Sequence, residues 1–112
     1  MGASSFDIHR KYVQLCGPVT GVDLEERLSV FDAARDRCWM AGACLWSPVD
    51  HVPYIASHSE AMETCLGNLL SGNVDALVVL PGWESSRGAS LEVAVARAIG
   101  VPVVALDDVE VG

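Results

Sequence analysis

Residues 76–106 read ALVVLPGWESSRGASLEVAVARAIGVPVVAL. The run ALVVL (76–80) contains no polar residue, as expected of a parallel strand covered on both faces. A Pro-Gly turn follows. ASLEVAVARAI (89–99) then repeats apolar residues at helical spacing and stops at Gly100. VPVVAL (101–106) returns to an apolar strand. Strand, loop, helix and strand make a βαβ unit, whose two strands lie parallel with a right-handed crossover. That assignment decides the fold, because the preceding sequence repeats the same alternation.

KYVQLC (11–16) is a short β-rich run that ends at Gly17 and Pro18. The helix after it is announced by Asp23 and Glu26 in capping-box spacing, carries Leu24, Leu28, Phe31, Ala34 and Cys38, and stops at Gly42. ACLW (43–46) is the next strand. A second helix begins near Ser57 or Ser59, with Met62, Leu66, Leu69 and Leu70 as its apolar side; Gly67 costs it about 1 kcal/mol relative to alanine. The order β-α-β-α-β-α-β predicts an α/β class: one Rossmann-like three-layer domain. Its parallel sheet has four strands, five at most, with helices on both faces. Residues 11–106 form the domain, 1–10 are expected to be a flexible leader, and 107–112 an acidic tail.

The totals agree. A chain of 112 residues, 51% apolar and 20% charged, builds one globular core without staples. A net charge of −8 disfavours a nucleic-acid polymer or an anionic membrane as partner. No run approaches the roughly 18 apolar residues that cross a bilayer. MGASSF lacks the basic start of a signal peptide, so a cytoplasmic protein is expected. Cys16, Cys38, Cys44 and Cys65 form no C-x-x-C pair, and His9, His51 and His58 have no ligand spacing. Reduced thiols, no metal and no cofactor are the expectation.

In sheets of this kind ligands bind beyond the carboxyl ends of the strands, near the switch in strand order. Two glycine-bearing loops leave strand ends there: CGPVTG (16–21) and PGWESSRG (81–88). Neither is G-x-G-x-x-G or a P-loop. Glu92 falls in the first turn of the third helix, at the margin of a face made by Leu91, Ala94, Val95, Ala98 and Ile99. From there its carboxylate is aimed along the top of the sheet. Each residue of the group also has an ordinary reading. Glu92 complements the helix dipole, Ser86 or Ser90 is the N-cap, Gly88 supplies a positive φ, and Arg87 and Trp83 are surface and rim. Their joint spacing is less ordinary: a hydroxyl and free amides bind an oxyanion or sugar hydroxyl, and a carboxylate nearby is a competent nucleophile at a glycosidic carbon.

CGPVTG, WSPVD (46–50) and, above all, PGWESSRGASLE (81–92) resemble the nucleoside 2-deoxyribosyltransferase-like superfamily, in particular its small branch with G-P-x-T-G and P-G-W-x-x-S-x-G-A-x-x-E motifs. The likeness spans residues 13 to 105. It implies a homodimer or higher oligomer acting on a nucleoside or its 5′-monophosphate. Glu92 is then the nucleophile at C1′, with hydrolysis or base exchange to follow. Ser86 and Gly88 fall where the family binds the sugar 5′ end, and Gly17 and Pro18 at the pocket floor. Trp83 and Arg87 join them as substrate-binding candidates. Where the family carries a tyrosine before the first loop this chain has Gln14, and where it carries an aspartate before the third strand it has Gly67 beside Asn68. Asp50 is therefore the candidate proton donor, ahead of His51 and Glu63, unless a neighbouring subunit supplies one. The alternatives are a module that binds a nucleotide or nucleotide-sugar without turnover, and a structural subunit using the Trp83 loop as a dimer contact.

Overall fold

The computed structural model describes residues 6–19 and 22–110. Thr20 and Gly21 of the first loop, and the outermost parts of the expected leader and tail, lie outside them. Four strands, β1 (Tyr12–Cys16), β2 (Cys44–Trp46), β3 (Ala76–Val79) and β4 (Val103–Ala105), pair in parallel in the order β2-β1-β3-β4. A separate parallel bridge joins Phe6 to Val109, and no fifth strand forms among the described residues. Three helices, α1 (Leu24–Met40), α2 (His58–Leu69) and α3 (Arg87–Ile99), make the crossovers. None of the described helices is long and apolar enough to cross a membrane.

Strand alternation divides the core in two. Val13, Leu15, Ala76, Val78 and Leu80 point to α1 and pack on Phe31, Ala34 and Cys38. Cys16, Leu77 and Val79 point the other way, onto Leu69 of α2 and Ala89, Val93 and Ala96 of α3. One helix thus covers one face and two cover the other, which is the predicted three-layer α/β architecture. The sequence reverses its direction across the sheet at β1: β2 lies on one side of it, β3 and β4 on the other. The carboxyl ends of β1 and β3 are therefore neighbours at the switch point.

Several expectations change. The segment assigned to a leader is part of the domain from Phe6 onward: Ile8 is fully buried against the α1 side of the core. Val109 of the expected tail is buried beside it, and Phe6 N–H donates to Asp108 O (2.7 Å) while Glu110 N–H donates to Phe6 O (2.9 Å). The apolar faces also rotate. In α3 the buried side chains are Ala89, Glu92, Val93 and Ala96, while Leu91 and Ile99 stand half-exposed. In α1, Arg27 is buried where Leu24 and Leu28 were expected, and in α2 Ala61 and Cys65 are buried while Leu70 is exposed. In α3 the reason is close approach to the sheet: Ala89 and Ala96 occupy the contact stripe, and the larger Leu91 and Ile99 are displaced to its flanks. If residues 6–10 belong to the core, Ile8→Ala lowers the unfolding free energy by about 2–4 kcal/mol in urea melts. Ile55→Ala, at a side chain 92% exposed, changes it by less than about 0.5 kcal/mol.

Candidate functional site

α3 begins two residues earlier than its apolar pattern suggests. Ser86 is its N-cap, its hydroxyl accepting from the Ala89 N–H (3.2 Å), and Arg87 and Gly88 are already helical. Gly88 therefore does not supply the positive φ; Gly82 does, at φ 89°, just after the Leu80-Pro81 turn. What Gly88 allows is closeness: a Cβ there would lie 2.8 Å from Met62 Sδ, so α2 and α3 meet through its bare backbone. Ser90 is no cap either; its hydroxyl donates to the carbonyls of Trp83 and Glu84.

This start places Glu92 in the second turn, facing the sheet, where it is 4% exposed. The dipole reading needed a first-turn, solvated glutamate and does not apply. Its partner comes from β1. Gln14, fully buried, donates from Nε2 to Glu92 Oε2 (3.1 Å) and to the Cys65 carbonyl (3.0 Å). Its Oε1 accepts from Asn68 Nδ2 (2.7 Å), and Asn68 Oδ1 accepts from the Tyr12 hydroxyl (3.4 Å). Gln14 and Asn68 thus form a neutral relay ending on the carboxyl. The thiols of Cys16 and Cys65 face the same group, and burial followed by the nearby carboxylate pushes both thiol pKa values up, so they stay protonated. Burial raises the Glu92 pKa to about 7, and the Gln14 hydrogen bond, with the nearby protonated thiols of Cys16 and Cys65, holds it back from going higher.

Above Glu92 opens a cavity of about 430 Å³ at the carboxyl ends of β1 and β3. Gly17, Pro18, Ser86, Arg87, Gly88 and Glu92 all line it, as expected from the sequence. His58, Met62, Cys65 and Ser85 line it too and were not foreseen. His58 opens α2 and Met62 lies one turn on, so a helix start at Ser57 with its capping box is the signal that places them. Two expected residues fall elsewhere. Asp50 pairs with Arg35 at the surface on the α1 side and is held away from the cavity by that ion pair. Trp83 lies in a short 3-10 turn (Trp83–Ser85) and packs on the α2/α3 side of the core rather than lining the opening. His51 stacks on Trp46 with ring centroids 4.6 Å apart. No cluster of three potential metal ligands exists among the described residues.

The wall is thus divided: Pro18, Val19, Ala61 and Met62 are apolar, while Ser85, Ser86, Arg87 and His58 are polar. The first amides of α3 have no intrahelical acceptor and lie at the polar rim, as the start of any helix requires. A family model for a domain of unknown function (DUF4406) matches residues 11–105. The chain belongs to the DUF4406 family. No curated protein matches the sequence. The DUF4406 region takes in the whole sheet, Gln14, Asn68, Glu92 and both glycine-bearing loops.

A carboxyl that titrates near 7 in the fold and near 4.5 in the open chain binds its proton more tightly when native. Stability from this group is therefore greatest at low pH, falls as pH rises from about 4.5 to about 7, and stays low above. The loss is on the order of 3 kcal/mol at about 1.4 kcal/mol per unit. Glu92→Gln, which keeps the shape and an acceptor for Gln14, raises stability at pH 8 by roughly 2–3 kcal/mol. The gain shrinks toward zero near pH 4.5, as paired denaturant melts at the two pH values will show.

Proposed function

We propose that this protein cleaves the N-glycosidic bond of a small nucleoside or nucleoside 5′-monophosphate, by hydrolysis or base exchange, with Glu92 as the nucleophile. The observation that carries the reading is the buried carboxyl on the cavity floor, oriented by the Gln14 amide and pairing with no cation among the described residues. A free carboxylate so placed is available for attack on carbon rather than neutralised in an ion pair. The likeness of PGWESSRGASLE to the nucleoside 2-deoxyribosyltransferase-like superfamily supports the same assignment. In the first step a Glu92 oxygen bonds to C1′, and the C1′–N bond breaks with its electron pair leaving on the base, which takes up a proton. In the second, water or another base attacks C1′ and the carboxylate returns. Ser86, Arg87 and the opening amides of α3 hold the 5′ end of the sugar, and Gly17 and Pro18 form the floor beside it.

Base release from deoxynucleosides and their 5′-monophosphates, followed by chromatography, tests this. Release is expected with the native protein and not with Glu92→Ala; release that persists in that variant ends the assignment. Added second base separates exchange from hydrolysis. Because the attacking form is ionised, kcat/KM rises with pH up to about 7 and levels off above it. Gln14→Leu removes a hydrogen bond to the ionised form, so the midpoint moves to higher pH in the same assay.

One observation favours a second reading. Glu92 is the only carboxylate lining the cavity among the described residues, whereas glycosidic cleavage ordinarily uses two. A module that binds a nucleotide or nucleotide-sugar without turnover would show saturable binding and no product over long incubation.

A further inference from the structure

A second cavity, of about 220 Å³, adjoins the first and shares Val19 and Ala61 with it as a common wall. Val22, Arg27, Val52, Pro53, Tyr54 and Ala56 complete its lining. Arg27 is 4% exposed. Its Nη2 donates to the Val52 carbonyl (2.7 Å), and its guanidinium carbon lies 5.8 Å from the centroid of the Tyr54 ring. Its Nε is buried with no acceptor, and no carboxylate pairs with it among the described residues. A guanidinium carries five N–H donors, and a buried donor left unmet is costly. The Val52 carbonyl holds the group in place through Nη2, while Nε finds no acceptor within the protein. The Cys65 thiol is close enough to both this cation and the Glu92 carboxyl to feel each charge.

We propose that this cavity receives the departing base of the glycoside, an oxo-substituted planar heterocycle whose carbonyl oxygen accepts from a terminal Nη group of Arg27. The inference rests on the glycosidic reading of Glu92. The space is smaller than a whole ligand of drug size requires, at about 300 Å³ or more, so it fits one part of a substrate. Its walls include Val19, Val22, Val52, Pro53 and the Tyr54 side chain, which suit a flat ring, and its one charged group is a donor. The arrangement also answers the missing second carboxylate. As the C1′–N bond breaks, its electron pair delocalises onto the carbonyl oxygen beside the guanidinium, and the base leaves as an anion that takes its proton from water.

Calorimetric titration with free hypoxanthine, uracil and adenine reads the subsite without turnover. Hypoxanthine and uracil are expected to saturate the native protein, with adenine at least tenfold weaker. Arg27→Met should weaken hypoxanthine tenfold or more. Ala56→Phe narrows the cavity while keeping the arginine and should abolish binding, which covers a failure of the arginine variant to fold. Absence of binding by hypoxanthine and uracil, equal binding of adenine, or hypoxanthine affinity unchanged in Arg27→Met or Ala56→Phe would each overturn the proposal. Base binding without base release in the cleavage assay would sink the catalytic reading of Glu92 instead, so the two failures are told apart.

Discussion

The hydrogen bond between Gln14 and Glu92 is the constraint on which the rest of the site depends. An isolated carboxylate removed from water costs several kcal/mol even after relaxation, and a lysine or arginine beside it would repay that cost by engaging both oxygens. Here neutral groups do the work: the Gln14 amide, which donates to it, and two protonated thiols close by. They hold the carboxyl near the middle of its titration at neutral pH without occupying it. Gln14 is itself fixed at both ends, by the Cys65 carbonyl and by Asn68, so the amide cannot turn over and present its oxygen to the carboxyl.

The sheet determines where that bond can form. Gln14 and Cys16 share the β1 face that looks toward α2 and α3, and both helices pack on that side because β2 to β3 and β3 to β4 cross over in the same direction. Gly88 brings the two helices together above the strand ends, and the cavity lies between their first turns. Had the strand order not reversed at β1, no crevice would separate the carboxyl ends of β1 and β3.

Much of this was legible in the sequence, for physical reasons. Apolar runs bounded by glycine and proline located all four strands to within two residues, because period and punctuation are local properties. The cluster Ser86, Arg87, Gly88 and Glu92 was legible for the same reason: it lies on one continuous turn and helix. What failed was non-local. Ile8 follows no periodic pattern, and only the packed sheet shows that it fills the space beside Val109. The apolar arc of α3 is wide and its buried part includes Glu92, so the wheel could not tell Leu91 and Ile99 from Val93 and Ala96. Asp50 looked available until Arg35, fifteen residues back, was seen to hold it. Gln14 carried a usable signal: a polar side chain inside a strand read as buried must find a partner. Its identity, 78 residues away, was not readable.

That separation bears on when the site comes into being. β1 is central and is made first, but its inner neighbour β3 and the helix bearing Glu92 are among the last parts of the chain to be synthesised. Contacts this distant in sequence form late, since the intervening loop must close before they return any energy. A nascent chain therefore has no assembled carboxyl pocket, which comes into being only with the finished domain.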